Sequence, residues 1–173
     1  MAGSLIKINE AIVTTATPSV TLTGIDSTYD VYMVKYNNVE VDTSSRYLQF
    51  RVTESGTPNT TTNYTQAQKT FRTAAAFINN TYTNNFVYAN VSVLGTSTGS
   101  STNGVFYIFN ANNSSEYTFG TIEVNYINIT PELFGDAGGF VFKQTSIVDG
   151  IQFILSGTGN IDSGTFTLYG LKK

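Results

Sequence analysis

The sequence predicts an all-β fold: an antiparallel β-sandwich, jelly-roll-like, with at most one short helix. Two observations lead to this prediction. Strand-like runs follow one another along most of the chain, and turn-forming stretches rich in Gly, Asn, Asp and Ser separate them at intervals of about twelve residues. The 173 residues are predicted to form a single domain, 1–173, because a chain of this length can bury about 70% of its surface.

Three runs alternate in the way that is typical of a strand with one buried face. They cover residues 47–53, 86–94 and 121–129. The sets that share one face are Leu48, Phe50 and Val52; Val87, Ala89, Val91 and Val93; and Ile122, Val124, Tyr126 and Asn128. The opposite face of the first run carries Tyr47, Gln49, Arg51 and Thr53.

Shorter runs of aromatic and β-branched residues predict strands that are covered on both faces. They occupy residues 105–109, 140–142, 151–155 and 166–171. Turn or loop compositions, which favour bonds from side chain to backbone or a positive φ, stand between the strands. They occupy residues 37–38, 55–59, 95–104, 110–115, 135–139 and 156–160.

Residues 64–78 fit two structures. Ala67, Phe71, Ala74 and Ile78 have helical spacing, which would make this stretch the one short helix. The alternative is another strand, with Tyr64, Phe71 and Phe77 packed in the sandwich, and both leave the fold class unchanged.

The triplet Ile-Asp-Ser occurs twice before similar strand-like residues, at 25–27 and again at 161–163. Asp and Ser favour turns, so each copy is interpreted as a turn that leads into a strand. Such a short match indicates convergent turn chemistry more than a duplicated half. The strand after the second copy carries Phe166, Leu168 and Leu171, and this apolar content predicts that the end of the chain is docked in a sheet.

Composition argues against most catalytic chemistry. The sequence has no His and no Cys, which rules out imidazole and thiolate nucleophile systems and their metal sites. Charged residues make up only 12%, and the formal net charge is −3, so neither nucleic acid nor a membrane surface is an expected partner. No segment has the length and apolarity of a signal-peptide core or a membrane span.

The acidic residues form no convincing site either. Glu40 with Asp42, and Asp26 with Asp30, are the pairs that a glycosidase could use, but edge charges and turn caps explain them better. Asp136 and the Asp149-Gly150 pair could contribute to a calcium site, yet neither has regular ligand spacing. The sequence therefore predicts no catalytic, cofactor-binding or metal-binding residue. It also predicts that the protein is not an enzyme.

Residues 48–56, 109–119 and 159–173, together with the opening SLIKINEAIVTT, resemble small virion structural proteins of tailed phages, particularly phages of marine bacteria. The resemblance consists of strand and turn patterns and assigns no role to any residue. It implies a non-catalytic virion component, made in the host bacterial cytoplasm without a signal peptide.

The chain lacks the repeats of a fibre shaft, which favours a protein that decorates or cements the capsid exterior. Expected partners are the major capsid protein, other virion proteins and further copies of this chain, in a trimer. The alternative is a tail or fibre-tip protein that binds host surface glycans as a lectin-like module; an enzyme ranks third.

Overall fold

The computed structural model describes residues 4–74 and 77–172, which form two antiparallel β-sheets packed face to face as a sandwich. The all-β prediction is confirmed. This part of the chain contains no helix long and apolar enough to cross a membrane. Its strands are β1 Ser4–Val13, β2 Ser19–Thr23, β3 Val31–Val41, β4 Leu48–Glu54, β5 Thr57–Pro58, β6 Tyr64–Arg72, β7 Phe77–Asn84, β8 Val87–Tyr88, β9 Thr102–Phe109, β10 Thr118–Ile127, β11 Leu133–Phe142, β12 Gly150–Leu155 and β13 Ile161–Lys172.

The larger sheet has eight strands in the order β1-β13-β3-β9-β10-β11-β6-β7, and the smaller sheet has the order β2-β12-β4-β5, with β8 also paired to β4. Four antiparallel pairs are nested in the sequence: β1 with β13, β2 with β12, β3 with β9, and β4 with β8. Successive pairs lie in alternate sheets, which is the topology of a jelly roll. The insertions that contain β6, β7, β10 and β11 extend the larger sheet.

Aromatic rings from both sheets meet in the core. Phe50 of β4 stacks on Phe106 of β9 with ring centroids 4.4 Å apart. Phe153 of β12 lies 4.7 Å from Phe166 of β13 and 5.6 Å from Tyr36 of β3. All five side chains are fully buried, so the two sheets share one continuous hydrophobic core.

The alternating pattern predicts some strands correctly and one wrongly. The inward sets of residues 47–53 and 121–129 are buried as expected. In the run 86–94, however, only Val87–Tyr88 forms a strand. The residues that follow leave the sheet because side chains bind their backbone: Val91 N donates to Asp136 Oδ2 at 3.0 Å and Ser92 N donates to Tyr126 Oη at 2.9 Å.

Two stretches predicted as turns lie inside strands. Residues 135–139 belong to β11, where Gly138 is required because a Cβ there would stand 2.1 Å from the Ala67 carbonyl oxygen of β6. Residues 37–38 form a bulge within β3, with Asn38 at φ 50°. Stretches 110–115 and 156–160 contain the connections after β9 and β12, as predicted. Stretch 55–59 holds the turn after β4 but also strand β5, and stretch 95–104 is a loop only as far as residue 101, because β9 begins at Thr102.

The helical alternative for residues 64–78 is wrong in the described part. Residues 64–72 and 77–84 are neighbouring antiparallel strands, β6 and β7, while residues 75 and 76 lie outside the described ranges. The inward face of β6 alternates with period two, but its side chains beyond Tyr64 are polar: Gln66, Gln68 and Thr70. That polarity hides the strand pattern in the sequence.

The packing expected in the strand alternative holds for Tyr64, which is buried, but is wrong for Phe71 and Phe77, which are 44% and 70% exposed. These two rings lie outside the core and contact each other edge to face, with centroids 5.6 Å apart.

The end of the chain is docked as predicted, since β13 lies between β1 and β3 in the larger sheet. The two Ile-Asp-Ser copies therefore lead to neighbouring strands, although the second copy lies inside β13, where Gly164 occupies a bulge at φ 133°. Phe166 and Leu168 are buried, but Leu171 is 36% exposed and points outward. The expectation that residues 166–171 are covered on both faces is therefore wrong at Leu171, and Tyr107 makes the same expectation wrong for residues 105–109.

We predict that Phe166→Ala lowers the free energy of unfolding by about 3 to 5 kcal/mol, because it leaves a cavity between the sheets. Leu171→Ala, on the same strand, should cost less than about 1 kcal/mol, since its side chain is already partly in water. Urea denaturation of both variants and the parent measures the difference. Equal losses for the two variants would contradict the assigned burial.

Candidate binding site

Two of the acidic residues considered from sequence hold the turn before β3. Asp26 Oδ1 accepts a hydrogen bond from Thr28 N at 2.7 Å, and Tyr32 Oη donates to it at 3.1 Å. The bonds from Thr28 hold the pKa of Asp26 below its usual value of 3.8. Asp30 is exposed just before β3. Asp26 therefore holds a side-chain-bonded turn.

In the second candidate pair, Asp42 also has a structural role. Glu40 is exposed on β3, whereas Asp42 lies one residue beyond the end of that strand. The carboxylate of Asp42 accepts bonds from the backbone and side-chain nitrogens of Asn160, both at 2.8 Å, and these bonds lower its pKa. Asp42 therefore fastens the connection between β12 and β13 to the end of β3.

Asp149 has a similar fastening role. Its Oδ1 accepts a bond from Thr53 Oγ1 at 2.5 Å and its Oδ2 accepts one from Gly56 N at 2.7 Å. The carboxylate thereby joins the turn after β4 to the start of β12. No group of three or more residues with metal-binding side chains occurs within residues 4–74 and 77–172.

Asp136 is the one of these acids that is buried in the sandwich, where it is 2% exposed. Thr70 Oγ1 donates to it at 2.5 Å, in addition to the bond from Val91 N. Burial raises the pKa of Asp136 above its usual value of 3.8, and the hydrogen bonds offset only part of that rise. The carboxylate ties β11, β6 and the segment after β8 together.

A surface groove with a volume of about 670 Å³ lies on the outer face of the smaller sheet. It forms because the outward side chains of β4, Tyr47, Gln49 and Arg51, stand beside Tyr88 of β8 and Ile154 of β12. Phe86, Pro18 and residues 155–157 and 159 complete the lining.

Tyr88 is the centre of an aromatic cluster at this groove. Tyr47, Tyr82 and Phe86 each make an edge contact with the Tyr88 ring, at centroid distances of 5.1, 4.8 and 4.9 Å. Burial, followed by the neighbouring Tyr47 and Tyr82, raises the pKa of Tyr88, so its hydroxyl remains a hydrogen-bond donor at neutral pH. The cluster offers rigid aromatic surface with polar tips.

Two buried glutamines of β6 hold the backbone of Tyr88 from inside the sandwich. Tyr88 N donates to Gln66 Oε1 at 2.6 Å, and Gln68 Nε2 donates to the Tyr88 carbonyl oxygen at 2.9 Å. The amides serve as partners for a strand that is only two residues long. They fix the position of the ring before any ligand arrives.

The polar side chains of the groove face are largely uncommitted. Gln49 is only 4% exposed, but its amide is open to the groove and makes no hydrogen bond with any residue in the described ranges. The amide of Gln152, its diagonal neighbour on β12, likewise has no such partner among those residues. Arg51 Nε donates to the Asn85 carbonyl oxygen at 3.0 Å, which leaves its Nη groups for other partners.

The outer face of the larger sheet has a different character. Val31, Phe109, Phe119 and Val141 lie side by side on four adjacent strands, and Tyr107 lies on the neighbouring row. We call these five residues the apolar band. Phe119 is 47% and Tyr107 is 37% exposed, so the band lies open on the sheet.

Sequence reasoning placed Tyr47, Gln49 and Arg51 on one outward face, but it did not identify them as a site. The missing information was the pairing of β4 with β8, which places Gln49 opposite Tyr88. The outward position of Tyr88 in its alternating run was the signal that could have suggested it.

The chain matches no protein-family model, and a search of curated proteins finds no match. The candidate site therefore stands on its geometry alone.

We predict that the stability advantage of the parent over Asp136→Asn shrinks as the pH rises. The raised pKa of Asp136 means that the folded state holds this proton more tightly than the unfolded chain does. The stability that the protonated Asp136 carboxyl contributes is complete below pH 3.8 and declines as the pH rises through the pKa of the folded state. Urea unfolding between about pH 3 and pH 7 measures it.

Asp26→Asn is the control with the opposite sign. Because the folded pKa of Asp26 is lowered, the advantage of the parent over that variant should grow as the pH rises toward 3.8. If the two variants gave parallel pH profiles, burial would not raise the pKa of Asp136, and the prediction would be wrong.

Proposed function

We propose that this chain is a non-catalytic structural protein of a tailed-phage virion, which decorates or cements the capsid exterior as a homo-oligomer. The observation that supports this most directly is the outer face of the eight-stranded sheet. This face is broad, bears the apolar band and carries few charged side chains. Such a surface suits extensive contact with another protein.

The charges on this face nearly cancel. The exposed charged side chains on its strands include Lys7, Lys35 and Lys69 on one hand and Glu10, Glu40, Glu123 and Asp162 on the other. Lys7 and Glu10 form an ion pair at 3.0 Å. Because removing neutral amides and hydroxyls from water costs less than removing ions, many modest contacts on such a face can add up.

The topology offers support by analogy. Jelly rolls recur in viral capsid and lectin domains, so the fold is compatible with a virion role without establishing one. The resemblance of residues 48–56, 109–119 and 159–173 to small virion proteins points the same way. A shell presents threefold positions, and repeated contacts raise avidity, which favours a trimer.

A non-catalytic role is consistent with the chemistry available. The sequence has no His or Cys. Asp42, Asp136 and Asp149 each bind backbone groups of neighbouring segments, so their carboxylates already have structural tasks.

The groove on the smaller sheet favours a second candidate, a tail or fibre-tip protein that binds host surface glycans. Half-buried aromatic rings beside amides that have no protein partner in the described ranges suit such a module. The groove and the apolar band lie on opposite faces of the sandwich, so one protein could use both.

We predict that the protein forms a trimer and binds phage heads that lack it, with the apolar band in the contact. Phe119→Asp should reduce the trimer and weaken head binding by about tenfold or more, because a buried carboxylate would lack a partner. Sedimentation gives the mass of the oligomer, and co-sedimentation with heads gives the binding.

Ile147→Asp is the matched control, since Ile147 is 50% exposed in the connection between β11 and β12, outside the sheet. It should leave both measurements unchanged. A protein that stays monomeric and ignores such heads contradicts the proposal.

A further inference from the structure

We infer that the groove on the smaller sheet is a binding site for an acidic saccharide, a chain with uronic acid units. This names the ligand class for the glycan-binding candidate and does not depend on where the protein sits in a virion. The inference combines an aromatic platform, an amide that faces the groove without a protein partner, and one available cation within a single groove.

The aromatic platform supplies the apolar part of the site. Tyr88, Tyr47 and Phe86 line the groove with ring surface, which can pack against the C–H groups of a pyranose. The Tyr88 ring is held by its three edge contacts and its backbone by two glutamines. Because these groups are ordered before binding, little conformational entropy is lost when a sugar arrives.

Gln49 supplies the argument for a polar ligand. Gln49 lines the groove, and its amide has no hydrogen-bond partner in the described ranges. The amide is not among the polar groups sealed inside that part of the structure, so both of its polar atoms are open to a ligand in the groove. An amide presents a donor and an acceptor together, which matches two adjacent hydroxyl groups of a sugar.

Arg51 determines the preferred charge of the ligand. Among the described residues that line the groove, Arg51 alone is charged. Its Nε is held by the Asn85 carbonyl oxygen, which orients the guanidinium and leaves its Nη groups available. A guanidinium held in this way suits a carboxylate, with which it forms short, charge-assisted hydrogen bonds.

The test is an array of uronate-containing polysaccharides, each placed beside its own carboxyl-reduced form. The full-length protein should bind at least one uronate chain. Its affinity for the reduced form of that chain should be lower by about tenfold or more. Carboxyl reduction replaces each carboxylate with a primary alcohol and leaves the linkages and the other hydroxyl groups unchanged, so the comparison tests the carboxylate.

Three variants then test the individual groups. Tyr88→Ala and Gln49→Leu should each weaken binding of the uronate chain by about tenfold or more. Arg51→Gln should instead remove the preference for the acidic over the reduced chain. Tyr117→Ala, which removes an exposed aromatic ring in the connection between β9 and β10, outside both the groove and the apolar band, should change neither property. Thermal melting of each variant confirms that it is folded.

Several results would overturn the inference: no binding above background on any uronate chain, equal binding of the acidic and reduced forms, or binding that Tyr117→Ala reduces as much as Tyr88→Ala does. The virion proposal is tested separately. Groove variants should still bind phage heads, while Phe119→Asp should still bind the saccharide, so either idea can fail alone.

Discussion

The contact between aromatic rings of the two sheets is the constraint on which the rest of the structure depends. Phe50 and Phe106 stack at 4.4 Å, and Phe153 and Phe166 meet at 4.7 Å. Since side chains alternate along a strand, placing these rings inside determines which residues face outward. On β4 that choice turns Gln49 and the residues beside it toward the groove. On β9 it turns Tyr107 toward the opposite surface.

The core is not apolar throughout, and its polar part positions the candidate site. The inward faces of β6 and β11 carry Gln66, Gln68, Thr70 and Asp136, all buried. Their partners are mostly backbone groups of the segment that starts at Tyr88. This segment makes few ladder bonds of its own, so side chains replace the missing strand partner. The aromatic platform of the groove is thus supported from within the sandwich.

The two outer faces differ in the kind of partner they suit. The larger sheet presents a broad, nearly neutral surface with a row of apolar side chains, as a protein interface would require. The smaller sheet presents a concave groove with rings, amides and one guanidinium, which is the composition of a small polar ligand site. A sandwich separates these surfaces, so contact with a particle need not obstruct contact with a sugar.

The sequence by itself determined the fold class, most strand positions and the docking of the last strand, because alternation and turn composition are local properties. Residues 47–53 and 121–129 show this clearly, as their buried faces are those that their pattern predicts. Local pattern failed at residues 135–139, where glycines serve a close approach between strands and not a turn. It left β6 open to a helical interpretation, since its inward side chains are polar.

Only the tertiary structure decided which strands are neighbours. Pairing β4 with β8 placed Gln49 beside Tyr88, and packing β6 beneath them fixed that ring. Such contacts join residues far apart in the sequence, and any of several pairings would satisfy the same local alternation. The groove exists because burial of one particular set of rings selected one of them.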